Sequence, residues 1–287
     1  MLPGTDHLID LALAEDAGLG DLTSSAIFRR GHRSQAVIEA GQDLVVCGVE
    51  VAARVFTRLD SDISATPLVN DGDRAGRGAL VMRLRGPTVS LLTAERTALN
   101  FIQRLSGIAT QTRRFVDRAG PLGVRVVDTR KTTPGFRALE KFAVRCGGGH
   151  NHRSSLGEHV LIKDNHIAAA GSLAEAVRRT RSAAPHLAKI EVEAKTLAEV
   201  RSALRAGAEA ILLDNMTPDQ VRSAVALIAG GALIEVSGGV RYENLADYAV
   251  PGVDVISIGA LTHSAPAADF SLTVLPKKRR SNEKKSA

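Results

Sequence analysis

The chain has 287 residues, of which 44% are hydrophobic and 24% are charged, and its formal net charge is +6. This composition is typical of a soluble globular protein, and no apolar run approaches the roughly 18 residues that a membrane span requires. Residues 277–287 hold six basic side chains against one acid, so the rest of the chain is nearly neutral. Aromatic residues make up only 3% of the chain, which argues against base stacking. We therefore predict a disordered basic tail over 277–287 and no specific nucleic-acid partner.

The N-terminal segment has no basic leader and carries acids early, unlike a signal peptide. The two cysteines, Cys47 and Cys146, are far apart and lack the spacing of a metal site. These features predict a cytoplasmic protein with reduced thiols and no membrane association. A zinc site formed by Cys146, His150 and His152 is the alternative, although no fourth ligand is evident.

The first elements along the chain predict a small α/β domain over residues 1–108. Residues 5–18 have the pattern of an amphipathic helix, and short strand-like segments with Gly and Asp turns follow. A long helical segment that contains ERTALNFIQRLSGIATQT closes this part. Near the C-terminus, ADFSLTVL alternates like a strand, and we predict that residues 270–276 return to complete the first domain.

Beyond residue 120 a repeating unit predicts a parallel sheet. Short β-branched runs each end in a polar residue or glycine and are usually followed by a helical stretch. The residues at the ends of these runs are Asp128, Lys163, Glu193, Asp214, Ser237 and Gly259. Capping boxes mark three of the helix starts, at Ser172 with Glu175, Thr196 with Glu199, and Thr217 with Gln220. Buried strands joined by helices predict an incomplete β/α barrel over 109–269, with its active site at the carboxyl ends of the strands.

Residues 128–166 predict a pocket for a small polyanion. This stretch holds 11 Lys, Arg and His residues against 4 acids and includes a run of three glycines. Arginine grips carboxylate or phosphate through two bonds, and lysine supplies a compact charge. The candidate cations are Arg130, Lys131, His152, Arg153 and Lys163. Lys163 alone would also suit a Schiff-base lyase, but the accompanying cations favour anion binding.

Two carboxylates and two glycine-rich turns complete the candidate site. Glu193 and Asp214 follow adjacent strands, where they could bind ribose hydroxyls, hold Mg²⁺ or stabilise a cationic sugar. The turns SGG at 237–239 and IGALTHS at 258–264 are suited to phosphate binding through backbone N–H groups. Asp164 and Glu191 are expected to be partners of neighbouring cations or to face outward.

Nine ordered motifs resemble one known family. They are EDAGLGDLT, ERTALNFIQRLSGIATQT, DTRKTTPGFRALEKFAV, GGGHNHR, LIKDNHI, IEVE, LLDNM, EVSGG and GALTHS. Together they cover residues 15–272 and resemble quinolinate phosphoribosyltransferase, a pentosyltransferase of de novo NAD biosynthesis. The resemblance implies an N-terminal α/β sandwich, a C-terminal open barrel and a homodimer. It also implies a reaction of quinolinate with phosphoribosyl pyrophosphate (PRPP) and Mg²⁺, giving nicotinate mononucleotide, pyrophosphate and CO₂.

The resemblance also implies roles for individual residues. Arg96 matches an arginine that reaches the neighbouring subunit's site, and the residues that match groups around quinolinate are Arg130, His152, Arg153 and Lys163. Those that match groups around the phosphoribosyl moiety and metal are Lys131, Glu193 and Asp214, the two acids contacting Mg²⁺ mainly through the substrate pyrophosphate. Those that match the phosphate loops are Ser237, Gly238, Gly239, Gly259 and His263. Lys131, Lys163, Glu193 and Asp214 are the implied catalytic set.

Three alternatives remain beside this interpretation. A paralogous group of the same fold, associated with molybdate uptake genes, diverges at the DTRKT and LIKDNH segments, which are intact here. A Schiff-base lyase would use Lys163, and borohydride trapping would reveal it. A scaffold or nucleic-acid binder would use the basic tail, and its binding to duplex DNA would be lost on deleting residues 277–287.

Overall fold

The structure, a computed structural model, describes residues 2–276, so the predicted basic tail lies outside the described residues. The strands are β1 (Arg33–Ala40), β2 (Leu44–Val45), β3 (Ser64–Pro67), β4 (Arg74–Ala75), β5 (Leu80–Pro87), β6 (Arg125–Val127), β7 (Val160–Ile162), β8 (Ile190–Ala194), β9 (Ala210–Asp214), β10 (Leu233–Ser237), β11 (Val255–Ser257) and β12 (Phe270–Val274). The helices are α1 (Thr5–Ala17), α2 (Leu22–Ile27), α3 (Val49–Leu59), α4 (Thr88–Ala119), α5 (Arg137–Cys146), α6 (Asp164–Ala170), α7 (Leu173–Ala183), α8 (Leu197–Arg205), α9 (Pro218–Ile228), α10 (Leu245–Tyr248) and α11 (Ala260–His263). None of the helices within residues 2–276 is long and apolar enough to cross a membrane.

The chain divides into two compact units. The first comprises residues up to Gly107 together with those from Ala267 onward, and the second comprises Ile108–Pro266. In the first unit, an antiparallel sheet has the strand order β12-β1-β5-β3, so the C-terminal strand β12 pairs with β1. The middle of β1 is buried because it lies between two neighbouring strands and contributes apolar side chains to the core.

Two arginine–carboxylate pairs join helices α1 and α3 in the first unit. Arg54 donates to both carboxylate oxygens of Asp6, at 3.0 and 2.8 Å, and Arg58 does the same to Asp10, at 2.6 and 2.8 Å. Helix α3 begins after Gly48, whose φ of +94° suits glycine. A Cβ atom at that position would also lie only 2.8 Å from the side chain of Leu105, so a larger residue would not fit without movement.

The second unit contains six parallel strands in the order β6-β11-β10-β9-β8-β7. Each strand after β6 is followed by a helix, which is the alternation that the sequence predicts for this region. The strands are buried runs such as AILLD in β9, as expected for a parallel sheet covered on both faces. The prediction of a mixed α/β protein with an open barrel is therefore confirmed.

A short segment around His150 extends this sheet beyond β6. The His150 N–H donates to the Val126 carbonyl at 2.9 Å, and the Asp128 N–H donates to the His150 carbonyl at 3.1 Å. Three residues later, the Arg153 guanidinium donates to the carbonyl of His159, just before β7, at 2.9 Å. This segment therefore lies between the two edge strands of the open barrel.

Two of the three predicted capping boxes are complete. At Thr196 and Thr217 the side chain accepts from the N–H three residues on, and the Glu or Gln at that position bonds back. At Ser172 only the first bond forms, with the Glu175 N–H. The Glu175 carboxylate pairs with Arg178 and Arg179 instead, because two cations one turn further along compete for it. These two pairs lower the pKa of Glu175 to about 2.

Candidate active site

A cavity of about 330 Å³ opens at the carboxyl ends of the strands in the second unit. The carboxyl ends of parallel strands meet at one edge of a sheet, so side chains that follow different strands converge there. The residues that line the cavity are Thr129, Arg130, Lys131, His152, Arg153, Leu161, Lys163, Glu193, Leu212, Asp214, Glu235, Ser237 and Ser257. Eight residues predicted from the sequence are among them, namely Arg130, Lys131, His152, Arg153, Lys163, Glu193, Asp214 and Ser237.

The phosphate-loop residues predicted beyond Ser237 lie next to this lining. Gly238 has a φ of +89°, and a Cβ atom there would lie 2.3 Å from the side-chain oxygen of Asn215, so the turn requires glycine. Gly239 follows it and also has a positive φ. A Cβ atom on Gly259 would lie 3.0 Å from the side chain of Lys131 and 3.2 Å from the His263 ring. Glycine at positions 238 and 259 therefore lets neighbouring side chains pack against the turns, and the space beside Gly239 is open.

The cations of the cavity differ in burial. Arg153 is buried, and burial together with the charge of Arg130 lowers its pKa. Nε of Arg130 is buried and has no hydrogen-bond partner within residues 2–276. Two arginines that lie close together in a partly enclosed space are under mutual repulsion, which an anion between them would relieve. Arg96 lies in the first unit, exposed on α4, and does not line this cavity.

The two carboxylates that follow β8 and β9 have different partners. Glu193 accepts a hydrogen bond from Nζ of Lys163 at 2.7 Å. Asp214 accepts one from the Asn215 amide at 3.0 Å and makes no ion pair within the described part of the chain. Lys163 is about half exposed and paired with an acid. A Schiff-base lysine is usually activated in a desolvated apolar pocket, and Lys163 is instead half exposed and bonded to a carboxylate, which argues against the lyase alternative.

Three titratable side chains form a largely buried cluster that the sequence analysis did not predict. Nε2 of His152 lies 3.3 Å from Oε2 of Glu191 and 3.5 Å from Oε2 of Glu235. The backbone N–H of Arg153 donates to Nδ1 of His152 at 2.8 Å, so the ring proton resides on Nε2 and faces the carboxylates. Burial, with the nearby charge of Glu191, raises the pKa of Glu235 to about 7.

This cluster decides between alternatives that the sequence left open. Glu191 is the partner of a neighbouring cation and faces inward, so the outward-facing alternative is wrong. Asp164 pairs with Lys195 at 2.7 Å on the surface. His152, Glu191 and Glu235 form the one group within residues 2–276 with the spacing of metal ligands, and it does not include the cysteine of the proposed zinc site. Since Nε2 of His152 carries the proton, the ring offers that nitrogen to the acids as a donor and not to a metal as a ligand.

We expect Glu235→Gln to stabilise the protein above pH 7. The folded-state pKa of Glu235 is raised from 4.5 to about 7, so folding becomes less favourable as pH rises through this window. The full cost, on the order of 3 kcal/mol, is present above pH 7 and disappears below the unfolded-state pKa. Glutamine cannot ionise, so the variant should melt at a higher temperature than the parent at pH 8 and at a similar temperature at pH 4.5.

Melting curves recorded from pH 4.5 to 8 test this expectation, with the exposed Glu15→Gln as the matched control. If Glu235→Gln and the parent showed parallel pH dependence, Glu235 would not be the group that loses its proton on unfolding.

Comparison with known proteins identifies the family. Residues 21–106 match the model of the quinolinate phosphoribosyl transferase N-terminal domain, and residues 108–273 match that of the C-terminal domain. The chain belongs to the quinolinate phosphoribosyltransferase family. The two matches cover nearly all the described residues, and their order along the chain is the order of the two compact units.

Individual relatives support the assignment over nearly the whole chain. A probable nicotinate-nucleotide pyrophosphorylase (carboxylating) of Bacillus subtilis is 44% identical over 93% of this chain and 92% of that protein. The crystal structure of NadC from Streptococcus pyogenes has a TM-score of 0.90 at 41% identity, covering 96% of this chain and 99% of that one. The nicotinate-nucleotide pyrophosphorylase structure from Francisella tularensis has a TM-score of 0.91 at 38% identity, covering 96% of this chain and 98% of that one.

Proposed function

We propose that this chain is a quinolinate phosphoribosyltransferase. It converts quinolinate and PRPP into nicotinate mononucleotide, pyrophosphate and CO₂, a step of de novo NAD biosynthesis. The observation that carries the proposal is the buried Arg153 beside the unpartnered Nε of Arg130, in a cavity that Glu193 and Asp214 also line. The arginines suit a dicarboxylate, and the acids suit a sugar that becomes cationic.

The residues divide into two groups by the substrate that they contact. Arg130, Arg153 and Lys163 bind the two carboxylates of quinolinate and hold its ring nitrogen toward the sugar. Two such charges on a small ring need several fixed cations, because each charge-assisted bond contributes more than a neutral one. The backbone N–H groups of Ser237 and the glycine turns donate to the phosphate oxygens. Lys131 lies beside Gly259.

Positioning accounts for most of the chemistry in this proposal. As pyrophosphate departs from C1 of the ribose, positive charge develops on the sugar, and the pyridine nitrogen bonds to that carbon. Glu193 and Asp214 stabilise the developing charge from the cavity edge. The ring nitrogen is then cationic, so the carboxylate beside it leaves as CO₂ and the ring carbon takes a proton.

The donor set of the cavity fits Mg²⁺. This ion prefers carboxylate and phosphate oxygens and is usually held by one or two carboxylates plus substrate phosphates. Asp214 offers an oxygen without an ion-pair partner among the described residues, while Glu193 is engaged by Lys163. When bound there, Mg²⁺ would neutralise charge on the leaving pyrophosphate.

We further propose a cytoplasmic homodimer in which Arg96 reaches the cavity of the neighbouring subunit. Its exposed position on α4 leaves its side chain available to such a contact. The support for this role is the motif ERTALN, which contains Arg96 and belongs to the segments that resemble the family.

Substrate choice tests the proposed function. In the presence of PRPP and Mg²⁺ we expect kcat/KM for quinolinate to exceed that for nicotinate by about 10²-fold or more. Nicotinate lacks one carboxylate, and each lost charge-assisted bond costs about 1.5–3 kcal/mol when it leaves a cation unpaired. Formation of nicotinate mononucleotide, followed by chromatography, is the measurement.

The matched control is Arg178→Ala, an exposed residue on helix α7, which contributes no residue to the cavity lining, and this variant should keep the preference. Equal rates with the two acids would contradict a cavity built for a dianion.

A further inference from the structure

We propose that the buried ion pair of Asp128 and Lys141 positions His152 and Arg153 for binding of the dicarboxylate. The proposal rests on the proposed function, because it concerns how the same cavity is formed. Neither member of the pair lines the cavity, so both act through the residues that they hold.

The pair is almost completely removed from solvent. Asp128 follows β6 and is 0% exposed, while Lys141 lies on α5 and is 2% exposed. Nζ of Lys141 lies 2.5 Å from Oδ1 of Asp128. Taking two charges out of water is costly, and apolar residues of similar size are often at least as stabilising. Stability alone therefore gives a poor account of this pair.

Both members of the pair hold the same short segment. The His152 N–H donates to Oδ1 of Asp128 at 2.9 Å, and Nζ of Lys141 donates to the His152 carbonyl at 2.8 Å. The pair thus satisfies both backbone groups of one residue. The Asn151 amide adds bonds to Oδ2 of Asp128 at 2.5 Å and to the Lys141 carbonyl at 2.9 Å.

These side-chain contacts hold the segment beyond His150, its last residue with main-chain pairing to β6. The segment pairs with β6 through His150, and among the described residues no backbone–backbone hydrogen bond holds residues 151–153. The side chains of Asp128, Lys141 and Asn151 supply the bonds that a further strand would otherwise provide. Without them, the backbone N–H and carbonyl of His152 would have no hydrogen-bond partner among the described residues.

The held segment leads directly into the cavity. The His152 ring accepts from the Arg153 N–H, and the Arg153 guanidinium spans to the His159 carbonyl. Both side chains line the cavity. A shift of about 1 Å in a positioned group can cost as much as 10²-fold in rate. We therefore expect the residues that hold the His152 backbone to control how well the cavity binds the dicarboxylate.

Two neutral double variants separate positioning from stability. Asp128→Asn with Lys141→Gln removes both charges but keeps groups that can bond to each other and to His152. Asp128→Leu with Lys141→Met removes the charges and the hydrogen bonds together. The single variant Lys141→Met leaves the Asp128 carboxylate buried without its cation and should be the least stable of the three. Arg181→Met, which breaks an exposed pair with Glu209, is the control.

Quinolinate Kd by titration calorimetry, PRPP KM and melting temperature are measured for every protein. We expect the Leu/Met variant to melt below the parent, because it leaves the N–H and carbonyl of His152 unpaired, and to bind quinolinate about tenfold or more weakly, with PRPP KM changed by about twofold or less. The Asn/Gln variant should recover most of the quinolinate affinity, and the control should match the parent throughout. For any variant that folds, we compare the fold-change in quinolinate Kd with the fold-change in PRPP KM. A larger change in quinolinate Kd supports positioning.

Parental quinolinate affinity in the Leu/Met variant, or equal losses for both substrates, would overturn the inference and leave the pair a structural feature. A parent chain that fails to convert quinolinate with PRPP would instead contradict the proposed function. The two failures are therefore distinguishable.

Discussion

Replacing Asp214 by Asn should lower turnover by about 10²-fold or more while leaving quinolinate affinity nearly unchanged. The substitution keeps the shape of the side chain but removes its charge. In the proposed mechanism that charge stabilises the cationic sugar in the transition state, and the Asp214 carboxylate would also help to hold Mg²⁺. Asp214 ends β9 and makes no ion pair within residues 2–276, so its charge is not already committed to a neighbouring cation.

Steady-state kinetics at saturating PRPP, with titration calorimetry for quinolinate, measure the two quantities. The matched control is Asp219→Asn, which removes an exposed carboxylate paired with Arg222 on the following helix α9. That variant should have parental turnover. If Asp214→Asn lost quinolinate binding but kept normal turnover at saturation, Asp214 would act on quinolinate and not on the phosphoribosyl group.

Arg96→Ala and Arg153→Ala should each be nearly inactive, and mixing them should restore about a quarter of the parental activity. In a twofold dimer with shared sites, half of the randomly mixed dimers are heterodimers, and one of their two sites has both arginines. Arg153 is buried in the cavity of the second unit, whereas Arg96 lies exposed in the first unit. Recovery on mixing is therefore the specific signature of an arginine supplied by the neighbouring subunit.

Subunit exchange is verified by native mass spectrometry of differently tagged chains before activity is measured. A mixture of Arg153→Ala with Lys163→Ala is the matched control, because both of those residues line the same cavity and their mixture should stay inactive. Exchange without recovery in the Arg96 mixture would place Arg96 in its own subunit's site or outside any site.

The strand ends of the parallel sheet could be predicted from local sequence. Glu193 lies near the end of β8 and Asp214 ends β9, and the parallel pairing of these strands brings their ends to one edge. Ser237 follows the same rule and lies level with Asp214 in the register of β10 and β9. A repeat of β-branched run and helix carries this information without knowledge of any distant contact.

The buried contacts between distant charged residues at the cavity could not be predicted in the same way. Asp128 and Lys141 are 13 residues apart, and nothing in their local pattern shows that they meet in the interior. Likewise, Glu191 and Glu235 lie on different strands and meet His152 only in the folded sheet. The segment at His150 has no β-branched residue and follows three glycines, so its sequence favours a turn although it pairs with β6. The available signal was an acid between two apolar residues in each strand, Glu191 in IEVE and Glu235 in IEVS.

In the proposed function the cavity couples phosphoribosyl transfer to decarboxylation, and the fate of a labelled carboxylate tests that coupling. Quinolinate labelled with ¹³C in the carboxylate beside the ring nitrogen is incubated with the protein, PRPP and Mg²⁺, and CO₂, nucleotide and pyrophosphate are quantified. We predict equal amounts of the three products, with all of the label in CO₂, and no labelled CO₂ when PRPP is omitted. A nucleotide that retains the label, or release of labelled CO₂ without PRPP, would contradict the account.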